Sequence, residues 1–504
     1  MNFNPYKIIK YQLYLFQLEE YDGRRYLDAI LHKGLIPTSS LRKELQWTLK
    51  AKLIFLISLI LQIAVAAADS HLIGLILFNS TLVLIIILIF ELFLVAYLSF
   101  IFNIVASWIL FPLEYFQKQR LINQAKSKYQ KLKTQNSELK TIGITGSFGK
   151  TTMKETLSTI LSEKFKVVST PENINTPIGL ARVILSSLNE STEVFVVEMG
   201  EYVKGDVDAL CQIAKPDISV ITGINEAHLE RYGSMKNAVD TKFEIVENTP
   251  EGGLVVLNGN DKLTTENYER FTKNKRVEWF NSESSPPVYL TNGKAPDAGG
   301  RAGKFKVLSS KFDIEKLVRR IEIQTPTSAL SAQTNIIAEY IGGNILASMI
   351  VGTELGMSEA QIKLGITQLK PAPYRLEVKK NGDIVVIDDT YNGNSDGIKA
   401  GIKLLSEFTN RRKVYVTPGL VETGELKEEI HKEIGKQLAS VADLVILTKN
   451  SATPFIAEGL KEAGFTEDKI VWYETSKETY EKLRENLQTG DVVMMQNDWS
   501  DNYF

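Results

Sequence analysis

Residues Lys140–Thr152 read KTIGITGSFGKTT, a short apolar run that breaks into glycines and then into Gly149-Lys150-Thr151-Thr152. A buried strand that empties through a glycine turn into a helix N-terminus is a phosphate holder. Backbone N–H groups and the helix dipole meet the anionic oxygens, lysine adds a point charge, and a hydroxyl takes Mg²⁺. The general phosphate-loop pattern puts a glycine where this chain has Ile144, and a tighter Gly146-x-x-Gly149-Lys150-Thr151-Thr152 stands in its place. Gly146, Ser147, Gly149, Lys150, Thr151 and Thr152 are the candidate phosphate-binding residues. The chain is expected to bind a nucleoside triphosphate.

At 504 residues the chain has room for about three domains. A net charge of −2 gives no reason to propose nucleic acid as a partner. Cys211 is the only cysteine, which excludes an intrachain disulfide and a cysteine-rich zinc site and fits a reducing compartment. His32, His71, His228 and His431 are the only histidines.

Hydropathy is unevenly spread. Leu53–Ala68 is almost wholly apolar, Asp69-Ser70-His71 interrupts, and Leu72–Pro112 is apolar apart from a few residues, Glu91 among them. A helix needs ~20 apolar residues to cross the hydrocarbon, and both stretches reach that length. The polar chain before them argues against a cleaved signal peptide. Arg42, Lys43, Lys50 and Lys52 precede the first stretch, and Lys118, Arg120, Lys126, Lys128, Lys131 and Lys133 follow the second. Basic flanks on both sides predict a hairpin with Asp69-Ser70-His71 outside and both termini in the cytoplasm. The second stretch is longer than one crossing, so it tilts, continues into the cytoplasm, or bends along the interface near Phe102–Phe116. Glu91 within it reads equally as a functional flag or a snorkelling carboxylate.

Residues 1–50 carry an amphipathic pattern (Tyr14, Leu15, Leu18, Tyr21; then Tyr26, Leu27, Ile30, Leu31), and residues 114–139 a basic helical connector. From Thr141 the chain alternates β-rich runs with helix-length segments: Thr141–Thr145, Val167–Thr170, Val194–Met199, Ile218–Thr222 and Leu254–Leu257. That is the pattern of a parallel sheet covered by helices. Ser282–Lys304 reads as a loop and Ser331–Gly356 as helical. A second alternating series runs through Ile384–Ile387, Val414–Thr417, Leu444–Leu447, Ile470–Tyr473 and Val492–Met495. The predicted fold class is α/β: a parallel-sheet ATPase domain (140–370) and a C-terminal Rossmann-like domain (371–504), preceded by a helical transmembrane hairpin (51–113).

Glu198 ends the run VFVVE and is placed, at a strand's C-terminal tip, to hold Mg²⁺ directly or through water. His228, in AHLERYGS, and Lys242, in TKFEIVE, are unremarkable singly. Their order is not. TGSFGKTT, Asn173–Gly179, VVEMG, AHLERYGS, TKFEIVE and LNGND resemble, in sequence, the central domain of the Mur ligases. Pro373-Tyr374-Arg375, the string Asp388–Ser395 and Glu422-Thr423-Gly424 resemble that family's third domain, and DD-x-YN-x-N is most like the branch that adds D-alanyl-D-alanine.

The resemblance implies an ATP-dependent ligase that phosphorylates a carboxylate and lets an amine displace the phosphate to form an amide. It puts Lys150 on the β- and γ-phosphates, Thr151 and Glu198 on one Mg²⁺, and His228 with a carbamylated Lys242 on a second. It brings Arg375 to the γ-phosphate and Asp389 to the nucleotide, with Tyr391 and Asn394 nearby. Lys150, His228, Lys242 and Arg375 are thus the expected catalytic set. Asn344 is the one asparagine kept from the family's His-Asn-x-x-Asn string. The usual Thr-Asn-Ile is Thr222-Gly223-Ile224 here, and the turn before Glu422 is Pro418-Gly419-Leu420.

The uridine-binding N-terminal domain is replaced by the apolar hairpin. An enzyme at the cytoplasmic leaflet is expected to take a lipid-linked carboxylate, such as a muramyl peptide, and an amino acid or dipeptide as amine. A homopolymer-forming ligase and a catalytically weak ATP-binding scaffold for wall enzymes are the alternatives.

Overall fold

The structure, a computed structural model, describes the chain except residues 1–3, 37–44, 77–88, 226–231, 282–304, 421–422, 424–425 and 498–504 and single positions 92, 173, 202, 327, 392 and 394. The chain forms two compact units, Met1–Arg120 and Leu121–Trp499.

The first unit is helical. Helix α1 (Pro5–Leu18) starts from Asn4, whose side chain accepts the Tyr6 and Lys7 amides, and α2 (Gly23–Lys33) starts from Asp22 in the same way. Tyr11, Leu13, Tyr14 and Phe16 of α1 pack with Tyr26 and Ile30 of α2. They enclose Ile54 of α3 (Leu49–Ile76) and Ala106 and Leu110 of α4 (Ser99–Gln135). The stripe predicted in α2 splits: Tyr26 and Ile30 face inward, whereas Leu27 and Leu31 are exposed. Residues four apart share a face, and the neighbouring pair lies about 100° round the helix. Gln12 is buried among these helices, donating to Tyr97 O at 3.0 Å and accepting from Ser99 Oγ at 2.5 Å. Lys50, at the start of α3, pairs with Glu114 of α4 at 2.8 Å.

Two expectations change here. Asp69-Ser70-His71 does not turn the chain, because α3 continues through it to Ile76. None of the three is a glycine or proline, so each costs a helix little. The basic connector is not a separate element either, since α4 runs unbroken from Ser99 to Gln135 with Pro112 inside it.

In the second unit, strands β1 (Lys140–Thr145), β2 (Val167–Ser169), β3 (Val194–Glu198), β4 (Ile218–Ile221), β5 (Leu254–Asn258) and β6 (Arg276–Phe280) form a parallel sheet ordered β2-β3-β1-β4-β5-β6. Both faces are covered. Val194 and Val196 point toward α5 (Lys150–Leu161), while Phe195 and Val197 point toward α6 (Pro177–Ser187), α7 (Asp206–Cys211) and α8 (Met235–Asn248). Burial on both sides explains why β3 reads as a continuous apolar run. Cys211 lies in the second layer, its Sγ 3.5 Å from Met199 Sδ, and burial pushes its thiol up.

A three-stranded antiparallel sheet follows: β7 (Lys306–Asp313), β8 (Val318–Gln324) and β9 (Ala329–Thr334). Ser331–Thr334 is therefore strand, and helix begins only at α9 (Ile341–Glu354), followed by α10 (Glu359–Gln368). The loop expected at Ser282–Lys304 lies outside the described residues. Beyond Gln368 comes a second six-stranded sheet, ordered β10-β11-β15-β12-β13-β14. Its strands are β10 (Glu377–Asn381), β11 (Ile384–Asp389), β12 (Lys413–Thr417), β13 (Leu444–Thr448), β14 (Ile470–Tyr473) and β15 (Val492–Gln496). All pair in parallel except the β10 edge.

Candidate active site

The site lies at the C-terminal ends of β1, β3 and β4, where the strands of a parallel sheet hand over to helix N-termini. β1 passes through Gly146 to Gly149, and Gly149, in the left-handed conformation at φ +72°, caps α5 without any side chain. The first-turn amides of α5 therefore face an anion site rather than a capping oxygen. Gly146 has φ +143°, and a Cβ there would stand 2.1 Å from Thr222 Oγ1. No other residue fits.

The segment after β4 braces this loop. Ser147 N donates to Gly223 O at 2.8 Å, and Asn225 N donates to Ser147 Oγ at 3.0 Å. The Phe148 ring fills the space beside Gly223, where a Cβ would come within 2.3 Å of it. That packing is the physical reason for glycine in Thr222-Gly223-Ile224: an asparagine would collide with the ring.

Lys150 Nζ donates to Gly146 O and lies 3.6 Å from Glu201. Glu198 is 2 % exposed. Its Oε1 accepts from Asn175 at 3.3 Å, whereas Oε2 has no hydrogen-bond partner among the described residues. A buried carboxylate oxygen with no hydrogen bond among the described residues suits a hard cation. The wholly buried Lys154 approaches that oxygen to 3.6 Å. Lys242 is wholly buried on α8, with Nζ 3.1 Å from Tyr232 Oη and 3.3 Å from Glu201 Oε1. Burial pulls its ammonium below the ordinary lysine range, with Glu201 opposing and Lys150 reinforcing that shift.

The second sheet contributes from the other side. Arg375 Nη2 lies 3.4 Å from Thr151 Oγ1, and its guanidinium sits 4.1 Å over the Tyr391 ring. Asp389, ending β11, accepts from Gln496 at 2.8 Å. Burial raises its carboxyl to about 6, against Arg375 and these hydrogen bonds. Tyr340 lies at this corner, where burial pushes its phenol up, with Asp389 reinforcing that shift and Arg375 and Thr152 opposing it. Asn344, one turn further along, is buried with its Nδ2 unpartnered among the described residues.

The structure thus brings Gly146, Ser147, Gly149, Lys150, Thr151, Thr152, Glu198, Lys242, Asn344, Arg375, Asp389 and Tyr391 to one region. His228, Asn394 and Glu422 lie outside the described residues. Lys154, Glu201, Tyr232 and Tyr340 join the cluster without having been singled out. Each had only a signal of position: Tyr232 lies within AHLERYGS, Glu201 directly follows VVEMG, Lys154 follows the phosphate-loop run, and Tyr340 precedes Asn344 by one helical turn.

Two family models match consecutive parts of the chain: the Mur ligase middle domain over residues 144–352, and the Mur ligase glutamate ligase domain over residues 374–496. The chain belongs to the Mur ligase family. The UDP-N-acetylmuramoyl-tripeptide–D-alanyl-D-alanine ligase of Bacillus subtilis is 28% identical over 355 residues, which is 70% of this chain and 72% of that one. The Escherichia coli enzyme of the same name is 25% identical over 324 residues, 64% of this chain and 67% of its own. Among solved structures, MurF ligase from Thermotoga maritima in complex with ADP superposes with TM-score 0.63 at 25% identity, covering 76% of this chain and 80% of that one. Within the family the likeness is to the D-alanyl-D-alanine-adding branch. As a Mur ligase the chain is an ATP-dependent, ADP-forming amide ligase.

Proposed function

We propose that this Mur ligase is anchored in the cytoplasmic membrane and joins an amino acid or a dipeptide, D-alanyl-D-alanine foremost, to the carboxylate of a lipid-linked muramyl peptide. One observation carries the catalytic half: Arg375 of the C-terminal domain reaches Thr151 of the phosphate loop, so groups from both domains converge on one hydroxyl. Lys150 and the first amides of α5 are suited to the β- and γ-phosphates, and Thr151 with Glu198 to one Mg²⁺. His228 is assigned to a second. Asn344, whose Nδ2 has no partner among the described residues, is suited to the adenine, and Asp389 to the nucleotide. ATP, when bound with Mg²⁺, supplies the phosphoryl group that activates the acceptor carboxylate. Arg375 and Lys150 then hold the charge that moves onto the transferring group. Closing the two domains excludes water from the activated acyl group.

The membrane half rests on α3 and α4. Both contain windows long and apolar enough to cross a bilayer, and only 22% of each window is buried. Ile60, Ile63, Trp108, Phe111 and Phe116 are exposed, a face that suits acyl chains, with aromatic residues near its end. The Lys50–Glu114 pair joins the start of one apolar segment to the end of the other, which favours a hairpin with both ends on one side. In this reading the anchor substitutes for the uridine-binding domain by bringing the enzyme to a substrate that already sits in the leaflet.

The test is ADP release by the detergent-solubilised full chain with D-alanyl-D-alanine and either lipid-linked or uridine-diphosphate-linked muramyl tripeptide. Turnover that needs the lipid-linked acceptor and disappears in Lys150→Ala supports the proposal. Turnover confined to the soluble acceptor removes the lipid-linked part. A ladder of product masses would favour the homopolymer-forming alternative.

A further inference from the structure

Glu201 lies where β3 has ended and the chain turns back over β1. Its side chain is 1% exposed and its two oxygens are shared among three partners. Oε2 accepts from Thr145 Oγ1 at 3.0 Å, while Oε1 lies 3.3 Å from Lys242 Nζ and 3.6 Å from Lys150 Nζ. Tyr232 closes the group. Its hydroxyl donates to Glu201 O at 3.2 Å and accepts from Lys242 Nζ at 3.1 Å, and its ring centre lies 4.5 Å from that ammonium. One buried carboxylate therefore links the lysine of the phosphate loop to the lysine of α8.

The family resemblance gives Lys242 a different partner, a carbamate on its own nitrogen. Carbamylation of the ammonium joins CO₂ to Nζ through a new N–C bond, releases two protons, and converts a cation into an anion. Here that anion would form in contact with Glu201, a second buried anion, and would take away the ammonium that Glu201 pairs with. The negative charge a carbamate would bring is already present, supplied by the chain and held by Thr145.

We propose that Glu201 is a positioning residue that supplies the fixed carboxylate of this site, tying Lys150 to Lys242 and standing in for the carbamate, so that Lys242 works unmodified. The proposal rests on the ligase reading for what these lysines act upon. It can be tested without any acceptor or amine.

Full-length protein in detergent is equilibrated with ¹³C-bicarbonate for ¹³C NMR, and Mg–ADP affinity is measured by calorimetry with and without dissolved CO₂. The wild type is expected to show no lysine carbamate carbon and an affinity indifferent to CO₂. Glu201→Gln keeps the size of the side chain and a partner for Thr145 but loses the charge. It is expected to weaken Mg–ADP binding about tenfold. Glu201→Asp, which restores the charge, is expected to recover part of that loss, a pattern that a merely space-filling role would not produce. A carbamate carbon in the wild type that vanishes in Lys242→Arg overturns the proposal, as does undiminished affinity in Glu201→Gln with its melting temperature intact. A chain that binds Mg–ADP as expected yet ligates nothing would refute the ligase reading and leave the role of Glu201 standing.

Discussion

The ammonium of Lys154 lies 3.6 Å from Oε2 of Glu198, with both side chains withdrawn from solvent. Lys154 also donates to Glu172 O, so a single lysine ties α5 both to the end of β3 and to the segment after β2. Removing one member of a buried pair strands the other charge, at a cost of roughly 3–5 kcal/mol. Lys154→Met is expected to lose about that much stability in chemical denaturation. Mg²⁺ should restore part of it, because a cation at Glu198 would replace the missing ammonium. Equal losses with and without Mg²⁺ would take Glu198 out of the metal site.

Gly146→Ala tests the loop. It places a Cβ 2.1 Å from Thr222 Oγ1 at a backbone φ of +143°, and such strain costs roughly 1–3 kcal/mol before the clash is counted. The variant should fold at a lower melting temperature and lose most of its Mg–ADP affinity by calorimetry. Retained affinity would mean that the phosphates are held elsewhere.

Asp389 makes stability depend on pH. Its carboxyl is raised from 3.8 to about 6 by burial, so folding favours the protonated acid. Its contribution is complete below about pH 4 and is lost as pH rises through 6, a swing on the order of 3 kcal/mol. Asp389→Asn should be more stable than wild type at pH 8, with the gap closing toward pH 4 in thermal melts. A gap that stays constant over that range would show that Asp389 does not titrate there.

The outward face of α4 makes a separate prediction. Trp108 is 71% exposed. If that face meets lipid, a variant retaining Trp108 as its sole tryptophan should be strongly quenched by brominated acyl chains in reconstituted vesicles. Quenching by aqueous iodide instead would place Trp108 in water and weigh against the anchor.

The run from β1 through Gly146 and Gly149 to Lys150 was legible because all of its context is local: an apolar strand run stands directly before the glycines and a helix-like stretch directly after Lys150. The two alternating series were legible for a similar reason, since a strand buried on both faces leaves an unbroken apolar run such as VFVVE. Lys242 stood out only through the order of the motifs around it. Glu201 and Lys154 could not be weighted, because a glutamate after a glycine and a lysine on a helix both read as solvent-facing. Their burial comes from contacts between segments far apart in the chain, Glu201 with Thr145 and Lys154 with Glu198. The antiparallel sheet was missed despite the alternation in VRRIEIQ, where Ile321 and Ile323 face the core and Arg320 and Glu322 do not. Asp69-Ser70-His71 misled in the opposite direction: polarity suggested a turn, while backbone propensity allowed the helix to continue.

Cys211 gives the chain a practical property. It is the sole cysteine, and it is packed away beside Met199 with its thiolate disfavoured by burial, so alkylating reagents should pass it by. A cysteine introduced at Lys477, whose side chain is 81% exposed, would then be the one thiol to accept a maleimide dye. The wild-type sequence is in effect already its own labelling background, and the C-terminal domain can be followed by fluorescence through turnover with one residue changed.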